Sequence, residues 1–153
     1  MNKIIKDTQF NIIGSGKRVL AGGCFDILHP AHLEFLQKAK EAGEKLIILL
    51  ESDENIRKLK GKNRPVNNQN TRAENLSNTG LVDFIMLLQP PVNSEYYYNL
   101  VKLLRPDIIA VTKDDPLLTV KKEQAKMVGG MVKEVMIRDL RYSTSKLAEN
   151  NNL

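Results

Sequence analysis

The chain has 153 residues, 42% of them apolar and 27% charged, with aromatics at only 5% and no tryptophan. That is enough chain to bury one core without staples, and the core must be built on Ile, Leu and Val. One cysteine excludes an intrachain disulfide and fits a reducing compartment, no stretch is long and apolar enough to span a bilayer, and a net charge of +5 without a like-charge block or basic–aromatic interleaving suits a small polyanion better than nucleic acid.

Residues 1–16 carry neither a long apolar run nor a small-residue cleavage site, so they read as an N-terminal extension rather than a secretion signal, and a cytoplasmic protein is expected. Lys17–Gly23 (KRVLAGG) reads as a short buried strand running into glycines. CFDILHPAH follows, then an amphipathic helix, LEFLQKAKEAG, with Leu33, Leu36 and Ala39 at helical spacing and Gly43 placed to end it. Lys45–Leu50 (KLIILL) is a continuous apolar run of the kind a central parallel strand shows. ESDENIRKLKGKNRPVNNQN is polar, basic and turn-rich, a functional loop with a short helical possibility in its first half. TRAENLSNTG predicts a helix capped near Asn70 or Thr71.

Val82–Leu88 is a second central strand, broken by Pro90 and Pro91. A helix over Ser94–Leu104 stops before Pro106, Asp107–Val111 is a third strand, Thr119–Val128 a helix ending at Gly129–Gly130, Val132–Ile137 a strand, and Ser143–Asn150 a last short helix. Strands alternate with helices throughout, with no repeat or linker. The pattern predicts a single α/β domain over residues 1–153, its core at about 17–150: a Rossmann-like open parallel sheet with helices on both faces. Ligands of such sheets lie beyond the carboxyl ends of the strands, here Cys24–His32, Glu51–Asn63, Thr112–Pro116 and Arg138–Thr144. The tyrosine run Tyr96–Tyr98 falls in a helix, which places it far from that edge, as packing residues.

The loop after the first of these strands is the most informative. Gly22 and Gly23 let backbone approach a ligand, and Pro30 suits a first helical turn. His29 and His32 then share one face of that turn, beside N–H groups that favour an anion. These are the only 2 histidines in the chain. Three readings compete: phosphoryl or nucleotidyl chemistry, a metal site, and two structural histidines. His-x-x-His with one nearby cysteine and no third ligand is weak for zinc, so the metal ligands stay unassigned. An isolated pair would be structural, but the glycine and proline context favours a phosphate.

GGCFDILHPAH resembles the signature of the cytidylyltransferase-like nucleotidyltransferases, in which a glycine-ended strand leads to Phe-Asp and His-x-Gly-His. Leu59–Leu76 (LKGKNRPVNNQNTRAENL) is similar to the nucleotidyltransferase domain of ADP-heptose synthases, and YSTSKLAE resembles the Ser-Thr-Thr-Lys motif shared with glycerol-3-phosphate cytidylyltransferases. Three motifs in the family's order span about Lys17 to Glu149.

The resemblance implies an NTP, ATP or CTP, with expected Mg2+, as donor and a small phosphorylated acceptor as partner. With no membrane or nucleic-acid partner expected from the charge pattern and the lack of a long apolar run, the resemblance adds that a homodimer is common in the family. It assigns His29 and His32 to the triphosphate and the α-phosphorus, Lys60 or Lys62 to charge neutralisation from the loop, and Arg72 to the acceptor phosphate or the triphosphate. Gly23, Cys24, Phe25 and Asp26 would lie along the nucleotide, with Asp26 also on the acceptor side. Ser143 and Thr144 would hold the β- and γ-phosphates, Arg138 would support them, and Asp114 or Asp115 would keep acidic character near the acceptor. Bland alternatives stand beside these roles: a solvated loop for the lysines, a surface arginine, an N-cap for Ser143, a brace for Asp26. Ala31 replaces the glycine between the histidines, and Thr112 and Lys113 stand where related enzymes have glycines. Those departures motivate an alternative, a non-catalytic nucleotide-binding or regulatory module.

Overall fold

Parallel pairing links every strand of the computed structural model, which describes residues 3–137. The elements are β1 (Ile4–Ile5), a 3-10 segment (Asp7–Ile13), β2 (Arg18–Gly23), α1 (Pro30–Glu41), β3 (Lys45–Leu50), α2 (Asp53–Lys60), α3 (Gln69–Asn78), β4 (Phe84–Leu87), α4 (Ser94–Leu104), β5 (Ile108–Lys113), α5 (Leu118–Met127) and β6 (Met131–Ile137). The sheet runs β1-β4-β3-β2-β5-β6, so strand order reverses between β2 and β5. The expected last helix, with Arg138, Ser143 and Thr144, lies outside the described residues.

Alternation along the strands divides the core in two. Val19, Ala21, Leu46, Ile48 and Leu50 face α1 and α3, meeting Leu36, Ala39, Ala73 and Leu76. Leu20, Ile47, Leu49, Ile109 and Val111 face the other way, onto Leu100, Val101 and Leu104 of α4 and Ala125 of α5. Both faces of the sheet are therefore covered, as the continuous apolar run of β3 requires.

Local departures from the sequence expectation have identifiable causes. Residues 3–16, read as an extension to the core, contribute to it. Ile4 and Ile5 pair with Ile85 and Met86 of β4, and Ile5 and Ile13 are buried. A two-residue strand is too short to show a period. Leu33, assigned by spacing to the apolar stripe of α1, is 42% exposed, and Phe35 packs inward instead. The short helix allowed in the first half of the loop after β3 is α2, which Ser52 caps by accepting the Asn55 N–H at 3.1 Å. The cap of α3 is Asn68, whose side chain accepts the Thr71 N–H at 2.8 Å, so the helix begins earlier than Asn70 or Thr71 would allow. Gly43 does follow α1, and its lack of a side chain matters for packing. A Cβ there would stand 2.7 Å from Val19 Cγ2 and 3.0 Å from the Lys17 carbonyl oxygen.

Candidate active site

At the carboxyl end of β2 the chain turns back over itself before entering α1. Phe25 adopts φ 46°, a left-handed conformation rare for a bulky side chain, and its ring is buried. The ring folds back over Gly23, where a Cβ would meet it at 2.9 Å. Gly23 therefore serves the turn itself, and Phe25 is packed rather than laid open along a ligand. The Phe25 ring lies 5.2 Å from that of His32, and the two imidazoles stack at 3.7 Å between centroids and 16° between planes.

His29 is the N-cap of α1. Its extended backbone lets Nδ1 accept the His32 N–H at 3.3 Å, so Nδ1 carries no proton in this arrangement and Nε2 does in the neutral ring. Pro30 has no N–H to offer. With the His32 N–H engaged as well, this terminus gives an anion fewer backbone donors than the spacing suggests, and the imidazole N–H groups carry correspondingly more.

His32 is pushed down from 6.5 to about 4. Burial is the main cause. The neighbouring His29 and the Lys60 ammonium push the same way, and the Ile27 carbonyl beside the ring opposes them in part. At neutral pH His32 is thus an uncharged donor. Because the folded value lies below the unfolded one, the unfolded chain takes up the proton first as pH falls, and stability drops between about 6.5 and about 4. Denaturant midpoints measured across that interval are expected to fall more steeply for wild type than for His32→Gln; equal slopes would show that His32 titrates normally.

Two residues assigned to substrate by resemblance are instead enclosed by protein. Asp26 has no exposed surface. Its Oδ2 accepts the Val66 N–H at 2.7 Å and the Arg64 Nε–H at 3.2 Å, and its Oδ1 accepts the Asn67 N–H at 2.8 Å. Arg72 is equally buried. Nε donates to the Asn67 carbonyl at 3.0 Å, Nη1 to the Cys24 carbonyl at 2.8 Å, and Nη2 to the Glu51 carbonyl at 2.9 Å and Asp53 Oδ1 at 2.7 Å. The planar fork of a guanidinium is suited to such multiple capture. Together the two side chains lock the loops after β2 and β3 to the segment before α3. Gln69 adds a tie, donating to the Leu50 and Leu88 carbonyls at 3.0 Å each. Arg64 and Gln69 were not singled out from sequence; the Arg-Pro step within the Leu59–Leu76 resemblance is the only signal that marked either.

Lys60 and Lys62 both sit on the exposed stretch that ends α2. The charge of Lys60 opposes protonation of His32 and favours the thiolate of Cys24. The Cys24 thiol is nonetheless raised overall, chiefly by burial. After β5, on the other flank of β2, Asp115 holds the turn into α5, accepting the Leu117 N–H at 2.7 Å and pairing with Lys121 at 2.7 Å. Asp114 is exposed at φ 66°. The β5–β6 register shifts between Val111 and Thr112, where glycines were expected.

The tyrosine run requires a correction. α4 follows β4, the neighbour of β3, and this brings Tyr97 to the carboxyl edge of the sheet rather than far from it. Its hydroxyl donates to Oε2 of Glu51, the buried residue directly after β3. The Tyr97 phenol is pushed well above its usual range by burial and by Glu51. Tyr96 and Tyr98 do turn elsewhere: the Tyr96 hydroxyl accepts the Gln89 N–H at 3.3 Å, and Tyr98 reaches Glu123 at 3.4 Å. Neither Glu51 nor Tyr97 was identified individually from sequence.

Among the described residues no group of three or more His, Cys, Asp or Glu side chains is placed to hold a metal ion, and no helix is long and apolar enough to cross a membrane. The described residues build no dedicated magnesium cage, which fits a magnesium ion that arrives with the nucleotide substrate.

The chain is similar to bifunctional proteins HldE: 42% identical over 114 residues to that of Campylobacter fetus, covering 73% of this chain and 24% of the relative, and 33% identical over 150 residues to that of a Marinomonas species, covering 97% and 30%. It thus spans only about a quarter to a third of the length of these relatives. Among solved structures it resembles a lipopolysaccharide core biosynthesis protein from Thermoplasma volcanium, with a TM-score of 0.65 and 27% identity over 84% of this chain and all of that one. Pantothenate synthetase from Thermus thermophilus shares the fold at a TM-score of 0.69 and 12% identity, over 95% of this chain and 67% of that one. Residues 20–150 match the cytidylyltransferase-like family, and that stretch holds every described element of the site, so the chain belongs to the cytidylyltransferase-like nucleotidyltransferases.

Proposed function

We propose that the chain transfers AMP or CMP from the magnesium complex of ATP or CTP to the phosphate of a small sugar phosphate or polyol phosphate, releasing pyrophosphate. The observation that carries this reading is the stacked His29–His32 pair at the end of β2, with His32 held neutral chiefly by burial. Family membership and the similarity to HldE proteins support it, and the likeness over Leu59–Leu76 favours ATP as donor. A cytoplasmic site of action suits a reaction fed by nucleoside triphosphate.

An oxygen of the acceptor phosphate attacks the α-phosphorus. The new O–Pα bond forms as the bond from Pα to the bridging oxygen breaks, and the electron pair leaves with pyrophosphate. That nucleophile is already anionic at neutral pH, so no general base is required. The protein contributes alignment and charge stabilisation. The Nε2–H of His29 donates to phosphoryl oxygens, and the His32 ring, neutral when free, gains proton affinity as the anion arrives. Lys60 screens the triphosphate from the α2 side. Asp26 and Arg72 act at one remove by fixing the loops that carry Cys24 and Glu51.

Lys60→Met is expected to raise the KM for NTP about tenfold or more, as for loss of a charged hydrogen bond, and Lys62→Met to leave it within about twofold, as for an exposed charge. The reverse ranking in steady-state kinetics would move the cation to Lys62. A screen of NTPs against sugar and polyol phosphates, scored by pyrophosphate release, tests the reading as a whole. Release with ATP or CTP and one such acceptor supports it. Tight nucleotide binding without turnover on any acceptor replaces it with the non-catalytic module.

A further inference from the structure

We infer that Glu51 and Tyr97 form a wall of the acceptor pocket that recognises a pair of hydroxyl groups, an inference that rests on the transfer reading above. Glu51 stands at the carboxyl end of β3, its N–H bonded to the Gly23 carbonyl at 3.0 Å. It is one strand removed from the β2–β5 reversal, the crevice where open α/β sheets take their nucleotide. The flank toward β3 and β4 is left for the second substrate.

The pair is chemically unusual. Glu51 is 8% exposed, yet no cation lies within ion-pair distance of its carboxylate among the described residues. Its hydrogen bonds are the Ser52 N–H on Oε1, at 3.1 Å, and the Tyr97 O–H on Oε2. Burying an unpaired carboxylate is costly, and a glutamine side chain could accept the Ser52 bond and meet the tyrosine without that cost. Folding alone therefore does not call for a carboxylate here.

A carboxylate repels phosphate, so the group it meets must donate hydrogen bonds. Each Glu51 oxygen keeps a lone pair, and the Tyr97 oxygen, having donated its proton, keeps acceptor capacity of its own. Two fixed acceptors side by side match two neighbouring hydroxyls. An ammonium group fits less well, because Lys60, the largest cationic influence on the adjacent Cys24, would repel it, while Arg72 and Arg64 are already paired with Asp53 and Asp26. The acceptor would then lie with its phosphate toward the histidines and Lys60 and its polyol end against Glu51 and Tyr97.

The test uses the full chain with glycerol phosphate, a hexose phosphate and its deoxy counterpart, measuring KM by pyrophosphate release and acceptor affinity by calorimetry without turnover. Glu51→Gln is expected to weaken the hydroxylated acceptors about ten- to a hundredfold, with the KM for NTP unchanged and no difference from wild type on the deoxy acceptor. Tyr97→Phe is expected to shift acceptor KM in the same direction by less. Three results overturn the inference: wild-type acceptor affinity in Glu51→Gln, a rise confined to the KM for NTP, or a preference for aminated acceptors. Acceptor binding that depends on Glu51 without any turnover leaves the wall standing and removes the transfer reading. Turnover that is indifferent to Glu51 does the opposite.

Discussion

Replacing His32 with alanine, or His29 with asparagine, is expected to slow pyrophosphate release about 10²–10³-fold while the chain stays folded. That is the usual cost of removing one preorganised donor from a transition state that gains charge. The choice of substitution matters at His29. Its Nδ1 caps α1, and an alanine there would confound loss of chemistry with loss of a cap worth about 0.5–2 kcal/mol. Asparagine caps well and removes the imidazole. His32 presents no such problem, because its ring is neutral at pH 7 and its removal leaves no buried charge. Turnover and thermal melting should therefore separate. Wild-type-like turnover in either variant would remove the pair from the chemistry.

The largest effect on stability is expected at Arg72. Arg72→Met strands three carbonyl groups, at about 1–3 kcal/mol for each one left buried without a donor, and leaves the partly exposed carboxylate of Asp53 without its partner. A domain has only about 5–15 kcal/mol in total. Arg72→Lys is the decisive variant. Lysine restores the charge but cannot reach the Asn67, Cys24 and Glu51 carbonyls from one planar fork. If Arg72 is an internal tie, the lysine variant loses most of the denaturant midpoint too, and activity falls with the folded fraction. If the side chain instead meets a phosphate, Arg72→Lys keeps its midpoint and raises KM.

The same residue shows where sequence stops being legible. The resemblance marks an arginine just inside a helix, and the helix is there. Which way its side chain points depends on Asn68 being the cap, which sets the phase of α3 and turns Arg72 toward the Cys24 and Glu51 loops. Periodicity carried the alternation of strands and helices because each element buries a face of its own. It could not show that β4 lies beside β3, and so could not show that Tyr97, 46 residues beyond Glu51, closes onto it. Long-range pairings of this kind leave no local pattern. β1 escaped for the opposite reason: two residues are too few to display one. The histidine pair was legible because Gly23, Pro30 and both rings fall within ten residues of one another, where covalent geometry alone brings them together.

The reaction itself is tested most directly by following the α-phosphorus. With α-labelled ATP or CTP, magnesium and the acceptor that performs best in the pyrophosphate screen, the label is expected in a nucleoside-diphosphate-linked product, with one pyrophosphate formed for each label transferred. Label recovered only in free nucleotide, with the acceptor unchanged or phosphorylated without it, would contradict nucleotidyl transfer at His29 and His32.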